Sequence, residues 1–500
     1  MSSDEVEPPG PNVPEVGERV AHEPVATPEG AATDVAEPVE EAPELERHAS
    51  WSELFFDLVA VAAVASLAHL LATELDWASL GLYAVLFLAV WLAWTTFMLY
   101  GNVAGSRTHV LRLLIGMFGL GVMAASVPGV AHTLLDGGHE ERAVAVFAVA
   151  YIATRVYGAQ SWRPGEVLLD FPVAQHTFGV LPWVVSLWTH PPVTVVLWAL
   201  GVALDLWLVL VVSGDDMLER YSSRMDQLTA RGERARERAT GQGGQRGGRR
   251  LGGPASSAAP ASPAAPASAA ALAATASERT GDVEGGGSRR GGFAGRGGRV
   301  REVLKPVPVA TDPGHLAERL GGFVIIVLGE GVVQVVNAAS NTVPESGLFV
   351  AGLASFVLLA GMFGLSVLYG FAGVPHLRGD AVVARVGLAL HCVVTGVIAT
   401  VSVGLASVVE HGNEPLATGP RWLLCGAVAA YFLIAQLVVL VVLGRTAALR
   451  SLWISTGVVV PLLLGAFGGP LPATVLTAVI AAVVVGQVAM ETRLEGTRPD

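Results

Sequence analysis

Apolar runs of about 20 residues recur along this chain, and that is the length a helix needs to cross the hydrocarbon core of a bilayer. They occupy residues 52–72, 77–100, 110–130, 142–160, 172–190 and 192–213. Beyond a long gap they resume at 316–339, 346–371, 383–408, 420–443, 451–468 and 471–491. Of 500 residues, 52% are hydrophobic and only 15% charged, where a soluble protein carries about 25% charged. The predicted fold is therefore an all-α polytopic membrane protein, with about twelve transmembrane helices in two six-helix halves.

The formal charge of −12 conceals segregation. Residues 1–50 form an acidic tail rich in Pro, Glu, Val and Ala, which has nothing to build a core and is expected to be disordered. No basic start leads into a short apolar run, so a cleaved signal peptide is not expected. Arginine follows the helix count. With the N-terminus inside, the inner loops hold Arg107 and Arg112, Arg155 and Arg163, Arg378 and Arg385, and Arg445 and Arg450, and the tail holds Arg493 and Arg498. The outer loops hold Arg142 and Arg421. By the positive-inside rule both termini face the cytoplasm of a plasma-membrane protein.

The halves span residues 51–213 and 312–492, with a short tail at 493–500. Between them, residues 214–311 are dominated by Arg, Gly, Ala, Pro and Ser, a composition that reads as a flexible cytoplasmic linker. Its arginines suit contact with anionic lipid, and no specific nucleic-acid partner is expected. The halves share short features. "FMLYGN" ends the second run at Tyr100 and "SVLYGF" its counterpart at Tyr369, while Arg142 and Tyr151 are echoed by Arg421 and Tyr431. Either these mark parallel repeats about an axis along the membrane normal, or they are coincidence in a compositionally biased chain.

Several polar residues stand where lipid would reject them. In "GHLAERLGGFVIIVLGEGVVQ", residues 314–334, helical periodicity puts Arg319, Phe323, Ile326, Glu330, Gln334 and Asn337 along one face. Arg319 and Glu330 lie ~16 Å apart along the axis. The arginine is thus expected at the inner surface and the glutamate near the midplane. An ionised carboxylate there costs ~2.5–3.5 kcal/mol, about what the neighbouring apolar residues return, so Glu330 must face other helices or water. In "SWSELFFDLVAVAAVASLAHLL" Glu53 and Asp57 sit one turn apart on the same face, with His69 toward the opposite end. They read either as dipole-favoured N-terminal charges or as functional acids. Asp205 lies mid-run and Arg155 near the inner end of the fourth run, where a structural Arg155–Asp205 pair is one reading. His176, His391, Gln175 and Gln436 read as interhelical hydrogen-bonding groups.

Cys392 and Cys425 fall inside apolar runs and read as small core residues, with no metal or cofactor implied. Neither a paired zinc motif, a phosphate loop nor a nucleophile elbow occurs, so the chain is not expected to be an enzyme.

The residues Glu53 to Val59, "ELFFDLV", His315 to Arg319, "HLAER", and Leu328 to Glu330, "LGE", resemble the motifs of the bacterial low temperature requirement protein A family. The resemblance is specific at these motifs and looser over residues 48–213 and 312–492. It implies a multi-pass membrane protein of a family named for growth in the cold. It lends importance, without a defined role, to Glu53, Asp57, His315, Glu318, Arg319 and Glu330.

These residues together point to a transporter or ion-translocating protein. Glu53, Asp57, Asp205, Glu318, Arg319, Glu330, Gln334 and Asn337 line the expected path, with Arg319 an electrostatic gate at the inner mouth, and His69, Arg155, His315, Tyr100 and Tyr369 supporting it. The cargo class is a small solute, a cation or a proton, and the lipid bilayer is the standing partner. The rival reading is a membrane scaffold or sensor whose charges are structural.

Overall fold

The computed structural model describes residues 48–73, 76–163, 165–212, 307–371, 384–442 and 448–495, with scattered helical residues between 218 and 234. All belong to one compact unit, residues 46–500. The acidic tail before residue 48, the linker arginines from Arg236 onward, and Arg378, Arg445 and Arg498 lie outside the described residues.

Helices α1 (Trp51–Thr73), α2 (Trp77–Ala104), α3 (Val110–Leu134) and α4 (Glu141–Ala159) follow the first four apolar runs. Their ends obey local chemistry. Ser50 and Glu53 form a reciprocal capping box at α1, with Ser50 N donating to Glu53 Oε2 at 2.8 Å and Glu53 N to Ser50 Oγ at 3.4 Å. Asp76 caps α2 by accepting from Ser79 N at 2.7 Å, which holds its carboxyl below the ordinary aspartate range. Gly105, with φ 61°, ends α2 in a conformation that favours glycine.

The fifth run departs from expectation. In place of one helix over 172–190, a 3₁₀ turn (Pro172–Gln175) is followed by non-helical backbone and then a seven-residue helix, α5 (Val180–Ser186). Pro172 opens the 3₁₀ turn and Pro182 lies in the first turn of α5, positions where a missing N–H costs nothing, so each proline starts a short element. The next helix, α6 (Val193–Val211), is apolar apart from Asp205 and Thr194.

Beyond residue 306 come α7 (Pro313–Ser340), α8 (Ser346–Phe363, continued by a π turn to Leu368), α9 (Ala384–His411), α10 (Thr418–Val442), α11 (Ala448–Phe467) and α12 (Ala473–Glu495). Among the described residues, ten helices are long and apolar enough to cross a membrane: all those named except α5 and α6. Pro461 is carried inside α11, and Pro128 inside α3, without ending either helix.

The helix pairings repeat. The first helix packs on the third and the third on the fourth in both parts of the chain, α1 with α3 with α4 and α7 with α9 with α10. The second packs on the sixth in each, α2 on α6 and α8 on α12. The parts meet where α1 touches α7 and α9. A two-stranded parallel ladder reinforces that junction: β1 (Glu166–Leu168) pairs with β2 (Val307–Val309), and Asp170 Oδ2 accepts from Thr311 N at 2.9 Å. The most enclosed spans are α2 and α9, and Tyr83 Oη joins them by donating to Gly396 O at 3.1 Å.

Candidate functional site

The site begins with two short helical ladders facing each other. Capping fixes the start of α1, so Glu53 and Asp57 stack one turn apart. Asp312 caps α7 by accepting from His315 N at 3.1 Å, with Pro313 in the first turn where its missing N–H costs nothing. His315 and Arg319 therefore stack one turn apart as well. The two ladders close on each other. Arg319 grips Asp57 with both arms of its guanidinium, Nε to Oδ2 at 2.9 Å and Nη2 to Oδ1 at 2.6 Å. Its Nη1 lies 3.2 Å from Glu53 Oε1, and His315 Nε2 lies 3.6 Å from Glu53 Oε2.

Helix α2 completes the shell. Trp94 Nε1 donates to Asp57 Oδ1 at 2.8 Å. Asn102 faces His315 Nδ1 at 3.2 Å, accepts from Asp312 N at 2.8 Å and donates to Asp312 O at 3.1 Å. Gly101 leaves the room Glu53 occupies, because a Cβ there would lie 2.9 Å from Glu53 Oε1. His391 of α9 stacks against Trp94, and its Nε2 lies 3.1 Å from Leu320 O, to which it donates.

All four charged or titratable members are enclosed. Asp57 is 0% exposed, Arg319 1%, and Glu53 and His315 2% each. Arg319, expected at the inner surface, instead sits at the centre of a buried network, and Glu53 and Asp57, open to two readings in the sequence, are enclosed at the start of α1. Glu318, the neighbour of Arg319, does reach the rim, where it accepts from Ala49 N at 3.2 Å and faces His48 Nδ1 at 3.6 Å.

A second buried network lies within the first part of the chain. Arg155 Nη2 meets Asp205 Oδ2 at 3.1 Å, and the same nitrogen donates to Val173 O and His176 O, both at 3.2 Å. Arg155 Nη1 donates to Thr96 Oγ1 in a short bond. Asp205 Oδ1 accepts from Gly179 N at 3.1 Å, and Tyr151 Oη approaches Oδ2 at 3.5 Å. The network is thus wired to the backbone of the broken stretch before α5. His176 O and Gly179 N, which no helix pairs here, receive charged side-chain partners in place of backbone ones. Gly179 is required by closeness: a Cβ there would press into the Asp205 carboxylate and Gly201 O.

The three acids expected along one path do not come together. Asp57 is held by Arg319 and Asp205 by Arg155, while half-buried Glu330 accepts from Gln334 Nε2 at 2.9 Å. Asn337 is exposed at the far end of α7, and His69 is exposed near the end of α1. Tyr100 is buried edge-on against Trp162, and Tyr369 Oη pairs with Thr492 Oγ1 at 2.7 Å. Gln175 bonds the backbone at Leu168 and Glu166, and Gln436 donates to Ser451 Oγ. Cys392 and Cys425 are buried and free. Among the described residues, no group of three or more His, Cys, Asp or Glu side chains could hold a metal.

Trp94, Gly101 and Asn102 escaped the reading of the sequence. The signal was present in "YGN", where an asparagine closes an apolar helix. The model of one family, described as the bacterial low temperature requirement A protein (LtrA), matches residues 48–225 and 258–489. No curated protein and no solved structure matches the chain.

Proposed function

Given that the chain belongs to the bacterial low temperature requirement A family, we propose that it is a transport protein whose two parts are latched at one end by the Glu53–Asp57–His315–Arg319 network. The carrying observation is the Arg319–Asp57 pair, closed at 2.6 and 2.9 Å between helices that begin either side of the central gap. A buried ion pair is a poor device for stability alone, because desolvation offsets most of its attraction. Such a pair is better suited to a joint with two arrangements.

The seam has a complementary opening. At the other end, α2 (Trp77, Leu80), α9 (Val397, Thr400) and α10 (Trp422, Gly426) surround a cavity of about 940 Å³. Closed by charge at one end and indented at the other, the seam suits alternating access between two bundles.

In this reading the broken stretch from Pro172 through α5 counts as a crossing. The β1–β2 ladder holds one side of it near the start of α7, and the loop before α6 lines a cavity with Glu141 and Arg142 at the start of α4. With α6 this makes twelve crossings in two six-helix halves. The repeated pairing of first, third and fourth helices supports a parallel duplication. By the positive-inside rule this reading puts the latch at the cytoplasmic end of a plasma-membrane protein, with both termini in the cytoplasm.

Purified protein reconstituted into liposomes with pH- and cation-sensitive dyes tests this. Flux above that of protein-free vesicles is expected, falling at least tenfold in Asp57→Asn. Background flux from native protein over a broad panel of ions and solutes overturns the proposal and favours a scaffold. Deleting residues 241–300 sharpens that outcome: a scaffold loses its cellular activity while its helices still insert.

A further inference from the structure

At the end of the molecule where α2 finishes and α3 begins, Arg107, Arg112 and Arg163 surround a cavity of about 640 Å³ with Tyr100, Trp162 and Glu166. Glu166 is the one acid among its lining residues, and its carboxylate accepts from Arg163 N at 3.1 Å. Among the described residues, no ion pair reaches any of the three guanidinium groups. Arg112 is held instead by aromatic faces, 5.7 Å from the Tyr100 ring and 6.0 Å from that of Tyr157, with Nη1 3.4 Å from Gln160 O. Three guanidinium groups against one carboxylate leave the cavity lining positive, and that asks for an anion.

A second cavity adjoins the first. The groove between α3 and α4, about 760 Å³, is lined by Ile115, Phe118, Val149, Ala153 and Tyr157, and Gln160 lines both cavities. From Gln160 to Ala145 it follows α4 for ~22 Å, more than the ~15 Å depth of one leaflet's hydrocarbon. Phe118 is 75% exposed, so the groove opens sideways, toward lipid, rather than into the bundle.

We propose that these joined cavities are a binding site for one anionic phospholipid, its phosphate among Arg107, Arg112 and Arg163 and an acyl chain along the α3–α4 groove. A cationic pocket edged by Tyr and Trp above an apolar trough has the order of chemistry found in a phospholipid at the interface. Neither cavity alone distinguishes a lipid from a free anion or from a detergent tail. Their adjacency at Gln160, which lines both, does. The site is separate from the latch, and its occupancy does not depend on the transport reading.

Native mass spectrometry of the full-length protein in detergent tests it, with dioleoylphosphatidylglycerol, dioleoylphosphatidylcholine and inorganic phosphate as probes. The expected result is at least tenfold preferential retention of the phosphatidylglycerol. Retention falls roughly fivefold for each arginine replaced in Arg107→Gln/Arg112→Gln/Arg163→Gln, and is unchanged in Arg385→Gln/Arg493→Gln, which removes cations outside the cavity. Ala153→Trp, which fills the groove and leaves every arginine, lowers it as well. Equal retention of both lipids overturns the proposal, as does native-like retention by the triple variant. Binding of inorganic phosphate as tight as that of the lipid, insensitive to Ala153→Trp, identifies a free-anion site and overturns it too. Should the triple variant aggregate, Arg163→Gln alone, at an exposed side chain, and Ala153→Trp replace it: lowered retention in both supports the site, and native-like retention in either overturns it.

Discussion

Among the described residues two arginine–aspartate pairs are sealed from water, and they are built for different ends. Arg155–Asp205 draws its partners from residues 96 to 205 and directs most of its bonds to backbone, answering Val173 O, His176 O and Gly179 N. Arg319–Asp57 draws its partners from both sides of the central gap, meets side chains almost entirely, and carries a second carboxylate, Glu53. The first pair substitutes for helix hydrogen bonds in a stretch that cannot be helical. The second joins two surfaces that are each complete helices without it. The same chemistry therefore serves a wall in one place and a joint in the other.

The comparison can be broken at the wall first. Arg155→Met leaves the Asp205 charge without its cation and removes the donor to His176 O, and is expected to cost ~3–5 kcal/mol, the scale of single-partner losses in buried pairs. Thermal unfolding in detergent, read beside the yield of inserted protein, measures it. Adding Asp205→Leu should give little back, since His176 O stays unanswered and Gly179 N loses its acceptor too. At the joint, Arg319→Met is expected to cost ~3 kcal/mol alone, but the companion change Asp57→Leu should recover much of it, because the pair answers almost no backbone groups. Equal rescue in both double variants would erase the distinction.

Smaller changes sharpen the boundary of the joint. Gly101→Ala places a methyl 2.9 Å from Glu53 Oε1, and overpacking of that kind costs about 1–3 kcal/mol. Its melting temperature should fall while Gly322→Ala, where a Cβ meets nothing within 4 Å, leaves it unmoved. Glu330→Gln is expected to change stability by less than ~1.5 kcal/mol, the scale of one hydrogen bond. A larger loss there, by the same unfolding measurement, would place Glu330 in a network of its own.

Much of this was legible in the sequence as discord. Glu53, Asp57, Arg155, Asp205 and Arg319 each stand out against apolar surroundings, and charges in lipid must find partners. Arg155 and Asp205 could be matched because they lie 50 residues apart within one apolar block. Arg319 and Asp57, separated by 262 positions and a long gap, could not, since periodicity orders residues on one helix and says nothing of which helices meet. Nor did depth reasoning help. Arg319 lies a turn and a half inside α7, and a lone arginine there would snorkel outward. It turns inward because Asp57 is waiting. The break before α5 was visible as Pro172, Gly179 and Pro182, but mean apolarity outweighed them in a window of span length.

The β1–β2 ladder, with Asp170 holding Thr311 and Asn102 holding both sides of Asp312, fixes where the chain resumes after residue 306. Docking is specified by these contacts, so covalent continuity through the intervening residues adds only loop-closure entropy, which grows slowly with length. A protein cut into two polypeptides between residues 241 and 300 is therefore expected to reassemble from its fragments when both are made in one cell, and each fragment supplies a handle for labelling its own side of the seam.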